Sequence, residues 1–433
     1  MTEEFNVVNF NRRDFFKLLG GSGLVALFPW LQSCTKEVSD AVSGEKIRIG
    51  LIGTGSRGMY HLNNILDIPQ AEVVALCDDY QPHLQQAADL FPKAKRYEDY
   101  RKLLEDKNVQ AVIITTPLNE HELMTIDSFA AGKHVFCEKS MALTLEGCRR
   151  IYDAYKQSGK VLYIGQQRLF DPKYVRAMEL IHSGLIGTIT GMRAYWYRNN
   201  NWRRPVPSPA TPELERRINW RLYRRSSAGL VTELAAHQLQ VGDWAIGLRP
   251  VSVAGFGDIV YWKDGREVYD NISLIYRYPN GVKMSYESVI SNKYLGLEEL
   301  ILGDKGTMEL EKGKYFFEEA KPAPGILQLI NQIEHKIFDN IKFAGPSWVP
   351  ETASINKGYY VIENVSTTSG ASSVGATGDG SVELLTAFCN SAITGQPNET
   401  LATEAYYSSI YALLGLQAME ENRIINFPEE FNV

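Results

Sequence analysis

The N-terminal half of the chain alternates between short apolar runs and longer segments in which apolar residues recur with helical spacing. The apolar runs predict strands at 47–52, 72–77, 109–115, 134–137 and 161–164. The intervening segments predict helices at 59–66, 119–131 and 145–158. Strands that alternate with helices in this way are typical of a doubly wound parallel sheet.

The C-terminal half changes to a period of two, which is typical of antiparallel strands with one buried face. The alternating segments are 251–261, 271–278, 282–288 and 298–303. Asn280-Gly281 lies between two of them and predicts a hairpin turn. Helical spacing predicts helices at 232–239, 381–392 and 403–422, and the Ser/Thr/Gly-rich segment 366–380 predicts a loop.

The first residues have the features of an export signal. Arg12-Arg13 precedes an uncharged stretch that ends at Leu31-Gln32-Ser33-Cys34. The paired arginines resemble a twin-arginine signal, and the closing residues resemble a bacterial lipobox with Cys34 as the lipidated residue. An N-terminal amphipathic or membrane helix is the alternative, but the run is shorter than a membrane-spanning helix needs. We therefore expect export to the periplasm or cell envelope, with a lipid at Cys34 as the membrane anchor.

Composition narrows the possible functions. The net charge is −6, so we expect no large basic surface for nucleic acid. Beyond Cys34, no cysteines have the spacing of metal ligands, so we expect no metal site.

A glycine-rich turn directly follows the first predicted strand and precedes the first predicted helix. Its sequence is Gly53-Thr54-Gly55-Ser56-Arg57-Gly58, a G-x-G-x-x-G motif. In a dinucleotide-binding fold, such glycines allow the tight turn, the approach of a pyrophosphate and close helix–strand packing, while the helix N-terminus binds phosphate. Asp78 ends the second strand, where an acidic side chain binds the adenosine ribose and repels a 2′-phosphate. The sequence therefore predicts NAD rather than NADP, bound by Gly53, Gly55, Ser56, Arg57, Gly58 and Asp78.

The chain resembles the glucose–fructose oxidoreductase/inositol dehydrogenase (Gfo/Idh/MocA) family over most of residues 46–428. The landmarks are Gly53–Gly58, Thr116-Pro117 with His121, Glu138-Lys139, 165–172 and Glu233 to His237. The resemblance implies a Rossmann domain followed by an α/β domain with an open, mostly antiparallel sheet that often forms oligomer contacts. It extends the predicted cofactor-binding set to Thr116, Pro117, His121, Glu138 and Lys139.

The same resemblance implies three catalytic residues, which are Lys139, Glu233 and His237. Glu233 and His237 are four residues apart, so on a helix they share one face and the carboxylate could orient the imidazole. A lysine desolvated beside the nicotinamide would have a lowered pKa and could take the hydroxyl proton, with His237 relaying it. The alternatives are a plain surface pair for Glu233 and His237 and a solvated lysine at the strand end. Two residues depart from the family pattern, since Ser140 replaces a proline and Glu233 replaces an aspartate.

The segment 195–205 alternates aromatic residues with arginine and asparagine. Aromatic faces stack on sugar C–H surfaces, while arginine and asparagine bind hydroxyls. An exposed loop with structural tryptophans is the alternative. Together with the start of the second domain, the segment predicts a carbohydrate site formed by Arg168, Tyr197, Trp202 and Arg203.

These observations predict four parts, namely an export signal at 1–34, a tether at 35–45, a Rossmann domain at 46–165 and a substrate and oligomerisation domain at 166–433. The expected activity is NAD-dependent oxidation of a sugar or glycoside ring carbon to a ketone by a homo-oligomer. Free NAD is not expected outside the cytoplasm, so we expect a tightly held cofactor that is regenerated on the enzyme. Two alternatives remain open. One is a glycosidase that works by transient oxidation, elimination and re-reduction, and the other is a carbohydrate-binding lipoprotein without catalysis.

Overall fold

A computed structural model describes residues 44–318, 360–361 and 378–433. The predicted export signal, nearly all of the predicted tether and most of the Ser/Thr/Gly-rich segment lie outside the described residues. Within the described part of the chain, no helix has the length and apolar character needed to cross a membrane.

The first sheet has six parallel strands in the order β3-β2-β1-β4-β5-β6. Its strands are β1 (Ile47–Ile52), β2 (Ala71–Cys77), β3 (Lys95–Tyr97), β4 (Ala111–Ile114), β5 (His134–Cys137) and β6 (Leu162–Ile164). The helices between them are α1 (Ser56–Ile65), α2 (Gln81–Leu90), α3 (Tyr100–Glu105), α4 (Leu118–Ala130) and α5 (Leu145–Ser158). The strand order reverses direction between β1 and β4, which is the point where such sheets bind ligands.

The five strands predicted for the N-terminal half could be recognised from the sequence because their apolar residues are buried on both faces of the sheet. Every residue of β4 is buried, and so is every residue of β1 except Arg48. A strand covered by helices on both sides reads as a continuous apolar run. The short edge strand β3 begins with Lys95 and Arg96, both exposed, and therefore carries no such signal.

The second sheet has nine strands in the order β14-β13-β12-β11-β7-β10-β9-β8-β15. Its strands are β7 (Ile189–Tyr197), β8 (Ser252–Asp258), β9 (Asn271–Arg277), β10 (Lys283–Val289), β11 (Leu297–Gly303), β12 (Gly306–Glu309), β13 (Lys314–Phe317), β14 (Tyr360–Val361) and β15 (Ile425–Asn426). Strands β7 and β10 run parallel, and the other neighbours are antiparallel. The predicted fold class, a parallel Rossmann sheet plus a mostly antiparallel sheet, is confirmed.

Five helices lie in the described part of the chain after β6. They are α6 (Pro172–His182), α7 (Pro212–Ile218), α8 (Ala236–Ile246), α9 (Ser381–Thr394) and α10 (Glu399–Glu421). The helix predicted at 232–239 begins instead as a π-helical turn, Val231–Ala235, that leads directly into α8.

The last two helices return to the Rossmann sheet. The ring of Phe388 in α9 packs edge-on against Phe136 of β5 and Tyr163 of β6, with centroid distances of 5.7 and 5.8 Å. The hydroxyl of Ser409 in α10 accepts a 2.9 Å hydrogen bond from the backbone N–H of Met141. Because α10 also contacts β8 of the second sheet, it connects the two halves of the fold.

Replacing Phe388 with alanine should destabilise the protein strongly, because this ring is fully buried between the two halves. We expect Phe388→Ala to lose about 3–5 kcal/mol of unfolding free energy in urea titration. The control Phe256→Ala removes a ring that is 69% exposed, and a change within about 0.5 kcal/mol is expected. Equal losses in the two variants would contradict this account of the packing.

Candidate active site

The backbone of the glycine-rich turn packs directly against the backbone at the end of β4. Gly53 has a φ of +91°, and a Cβ atom there would lie 2.9 Å from the carbonyl carbon of Thr115. A Cβ on Gly58 would lie 2.2 Å from the carbonyl oxygen of Gly53. Both positions therefore require glycine for packing. At Gly55 a Cβ would meet only the His83 ring at 3.7 Å, so this stretch of backbone is open to a ligand.

Helix α1 begins at Ser56 directly after this turn. In the described structure no side chain caps its N-terminus, and its first turn contains no acidic residue. The free backbone N–H groups and the positive end of the helix dipole therefore form a site for an anionic group.

Asp78 lies at the end of β2 and is nearly buried. One carboxylate oxygen accepts a 2.7 Å hydrogen bond from the backbone N–H of Thr54, and the other accepts one of 2.8 Å from Tyr80. Burial alone would raise the pKa of Asp78, but His83 and these backbone donors bring it below its usual value. The carboxylate is therefore ionised beside the turn, as ribose binding requires. From the second domain, Arg217 of α7 comes within 3.5 Å of it.

Glu138 directly follows β5. Its side chain connects the region of the cofactor turn to the loop that comes after β5. Its Oε1 accepts hydrogen bonds from Arg57 at 2.7 Å and from His61 Nε2 at 2.6 Å. Burial would raise the pKa of this carboxyl, but the charge of Arg57 and the bond to His61 hold it far below its usual range.

His121 connects the loops that follow β4 and β5. Its Nε2 lies 3.0 Å from the carbonyl oxygen of Thr116, and its Nδ1 lies 2.9 Å from that of Ser140. The ring thereby positions two loops whose residues line the cavity described below. Pro117 is the residue immediately before α4. The peptide bond between Lys139 and Ser140 is cis.

The Lys139 amine points from the end of β5 into the second domain. Its Nζ donates hydrogen bonds to the backbone carbonyls of Glu233 at 2.7 Å and Thr232 at 3.2 Å. Burial lowers the pKa of Lys139, while Glu233 and Glu138 act in the opposite direction more weakly. The lysine is therefore not the solvated strand-end residue that the sequence left open.

His237 is buried and the Glu233 side chain is only 10% exposed, so they are not a surface pair. The Glu233 carboxylate does not bind His237 but accepts a 2.7 Å hydrogen bond from Arg221. His237 Nδ1 has no hydrogen-bond partner among the described residues. Burial, with the charges of Lys139 and Arg168, lowers the pKa of His237 well below its usual value, so the ring is neutral at pH 7.

A cavity of about 530 Å³ lies between the two domains at the carboxyl ends of the parallel strands. The Rossmann side contributes Arg57, Thr115, Thr116, Leu118, His121, Glu138 and Lys139. The second domain contributes Gln167, Trp196, Arg198, Asn200, Trp202, Arg203, Arg204, Trp220, Arg221, Glu233, Leu234 and His237. The predicted catalytic residues therefore meet in one cavity. In the described residues, no group of histidine, cysteine, aspartate or glutamate side chains could hold a metal ion.

The four residues predicted to bind carbohydrate separate into two groups. Trp202 and Arg203 line the cavity, but the Arg203 guanidinium is bound to Glu215 and, at 3.1 Å, to Asp264. Arg168 and Tyr197 lie outside the lining. Arg168 pairs with buried Glu299 and with Glu311, and the Tyr197 hydroxyl donates to Glu287 at 2.8 Å.

The predicted set omitted ten of the residues that line the cavity, among them Trp196, Arg198, Arg204 and Arg221. Residues 189–197 form strand β7, so the first part of the segment 195–205 is not the exposed loop that the sequence left open as an alternative. On a strand, alternate residues face the same side. A period of two would have grouped Trp196 with Arg198 and placed Tyr197 on the opposite face.

Comparison with known proteins identifies the family. The model of an oxidoreductase family with an NAD-binding Rossmann fold matches residues 47–166, and the Gfo/Idh/MocA C-terminal domain model matches residues 174–309. Inositol 2-dehydrogenase of Salmonella typhimurium is 35% identical over 170 residues, or 39% of this chain and 49% of that protein. An α-N-acetylgalactosaminidase of Shewanella oneidensis is 28% identical over 218 residues, or 45% of this chain and 48% of that protein. The chain thus spans about half the length of these curated relatives.

A solved structure of levoglucosan dehydrogenase with NADH and levoglucosan has the same fold. Its TM-score is 0.67 at 19% identity, covering 89% of this chain and 100% of that one. The family models together cover both domains, and the first of them carries the NAD-binding Rossmann fold that the glycine-rich turn and Asp78 predicted. This chain belongs to the Gfo/Idh/MocA family of oxidoreductases.

Proposed function

We propose that this protein oxidises a ring hydroxyl of a sugar or glycoside to a ketone, using NAD that it holds tightly. The observation that carries the proposal is the position of the Lys139 amine. It is part-buried and lines the cavity, and among the described residues its hydrogen-bond partners are backbone carbonyls alone. Sugar and polyol dehydrogenases among the relatives support this substrate class.

The residues present fit NAD. Side chains at Gly53 and Gly58 would collide with backbone, whereas Gly55 leaves room for a pyrophosphate beside the N-terminus of α1. Asp78 would accept hydrogen bonds from the adenosine ribose and repel a 2′-phosphate. When bound, NAD⁺ supplies the acceptor for the hydride that leaves the reacting carbon.

Lys139 would hold and move the hydroxyl proton. Its lowered pKa makes the neutral amine accessible, and a neutral Nζ accepts the proton as the carbonyl forms. The bonds to Thr232 and Glu233 fix the direction of the amine. The hydrogen bond from Arg221 keeps the Glu233 carboxylate from pairing directly with the Lys139 amine. Such a pair would favour the charged form of the amine.

Neutral His237 is the second proton carrier. It lines the same cavity, and its ring is not held by a carboxylate. Trp196, Trp202 and Trp220 line the same cavity and offer aromatic faces for the C–H surface of a sugar ring.

A second candidate is a glycosidase that transiently oxidises the sugar, eliminates the aglycone, adds water and reduces the product. The similarity to an α-N-acetylgalactosaminidase supports it, and the proposed proton chemistry at Lys139 serves both reactions. The two candidates differ in products, because the glycosidase releases aglycone without accumulating ketone or NADH.

We also propose that the protein works in the cell envelope, as its twin-arginine and lipobox sequences suggest. A retained cofactor is then needed, and the contact of Arg217 with Asp78 supports retention because the second domain reaches the predicted ribose site. Regeneration on the enzyme requires a second substrate or a redox-neutral cycle.

The glycines test cofactor binding separately from folding. Gly58→Ala should lower the melting temperature and the nucleotide content, because its Cβ would meet backbone. Gly55→Ala should leave the melting temperature of the NAD-free protein nearly unchanged but reduce the NAD recovered when the purified protein is denatured. Gly378→Ala, with no atom within 4 Å of the added Cβ, is the control. Full NAD content in Gly55→Ala would exclude the proposed pyrophosphate position.

Lys139→Met should lower kcat/KM by about 10²- to 10⁴-fold, as expected for loss of a general base. Activity of the unaltered protein should rise with pH along a limb centred below 10.5, since the lowered pKa of Lys139 leaves more neutral amine at each pH. The variant should lack this limb. Lys107→Met alters an exposed lysine outside the cavity and should change neither quantity.

The assay incubates purified protein with a panel of monosaccharides and methyl glycosides. It follows NADH absorbance and identifies products by mass spectrometry. Ketone formation supports the oxidoreductase, whereas release of methanol from a glycoside without NADH or ketone supports the glycosidase. Unchanged turnover and pH profile in Lys139→Met would remove the lysine from the mechanism.

A further inference from the structure

The cavity has a strong excess of positive charge. Its lining includes six basic side chains, which are Arg57, Lys139, Arg198, Arg203, Arg204 and Arg221. Among the described residues, only two acidic side chains, Glu138 and Glu233, belong to the same lining. A site for a neutral sugar needs hydroxyl-binding groups but no such excess.

Three of the arginines already have carboxylate partners. Arg57 pairs with Glu138 at 2.7 Å, and Arg221 pairs with Glu233 at 2.7 Å. Arg203 is bound from behind the cavity wall by Glu215 and Asp264. These pairs leave little negative charge for the remaining basic groups.

Arg198 and Arg204 have no carboxylate partner among the described residues. Arg198 is half-buried, and its guanidinium lies over the Trp196 ring, 4.6 Å from the centroid. The backbone of Arg204 is fixed by Asn219, whose Oδ1 accepts from the Arg204 N–H at 2.6 Å. The fold therefore places two arginines without carboxylate partners among the described residues in the lining of one cavity.

The positions of these arginines make an anion favourable there. At Arg204, burial and then the charge of Arg221 lower the pKa. At Arg198, burial lowers the pKa, Tyr286 raises it and the charge of Arg221 lowers it, so Arg221 repels both guanidinium groups. An anionic group between them would relieve this repulsion and form charge-assisted hydrogen bonds. The pyrophosphate of NAD is not that group, because it belongs at the N-terminus of α1 in the Rossmann domain, where Arg57 lies.

We propose that the sugar substrate carries an anionic group, a carboxylate or a sulfate ester, which binds between Arg198 and Arg204. This inference rests on the proposed function, since it names the class of sugar that the same cavity accepts. The reacting ring hydroxyl then lies toward Lys139, and the anionic group lies toward the arginines of the second domain.

Matched sugars test the proposal by binding, independently of turnover. Purified holoprotein is titrated with acidic sugars and their neutral counterparts. Glucuronate and glucose 6-sulfate are compared with glucose, and galacturonate is compared with galactose. The readout is tryptophan fluorescence, because three tryptophans line the cavity. At least one acidic sugar should bind about tenfold or more tightly than its neutral counterpart, as expected for a charge-assisted hydrogen bond. The sulfate ester distinguishes a preference for sulfate from one for carboxylate.

Arginine variants test whether Arg198 and Arg204 cause the preference for an acidic sugar. In the double variant Arg198→Gln with Arg204→Gln, the preference should disappear while the neutral sugar binds about as before. Arg193→Gln alters an exposed arginine on β7, outside the cavity lining, and should keep the preference.

The outcomes separate this inference from the proposed function. Equal affinities within every pair, no binding of any acidic sugar, or a preference that survives in the double variant would overturn the anionic substrate. Preferential binding of an acidic sugar without any NADH, ketone or hydrolysis product would support the anionic site and contradict the proposed activity.

Discussion

A buried carboxylate holds the functional centre of this fold together. Glu138 accepts hydrogen bonds from Arg57 and His61 of the first helix, and the next residue along the chain is Lys139. A Cβ at Gly165 would lie 2.8 Å from this carboxylate, so glycine at that position leaves the carboxylate room. One side chain therefore fixes the cofactor turn and the proposed base relative to each other.

The chemistry proposed for Lys139 follows from the way charges are paired around it. Glu138 is neutralised by Arg57, and Glu233 by Arg221, so neither carboxylate forms a direct ion pair with the amine. Its hydrogen-bond acceptors are uncharged carbonyls, and burial therefore dominates its pKa. The same ion pairs leave Arg198 and Arg204 without a carboxylate partner among the described residues. One arrangement of charges therefore underlies both the proposed base and the proposed anionic group of the substrate.

Local signals in the sequence were sufficient for five of the six Rossmann strands and for the cofactor turn, because apolar runs, glycines and Asp78 act within single strand–turn–helix units. They failed where long-range contacts decide the outcome. The spacing of Glu233 and His237 predicted a pair on one helix face, yet Arg221 takes the carboxylate and the chain there begins as a π-helical turn. Arg168 had the right residue type for a substrate ligand, but its partners Glu299 and Glu311 come from distant strands and turns that sequence spacing does not reveal.

The most direct measurement is the nucleotide content of Glu138→Gln, determined by mass spectrometry after denaturation, beside Glu105→Gln as an exposed control in the same domain. If Glu138 joins the cofactor turn to the Lys139 loop, the Glu138 variant is recovered largely without NAD and turns over poorly, while the control retains both. Stoichiometric NAD with full turnover in the Glu138 variant would contradict this account of the site.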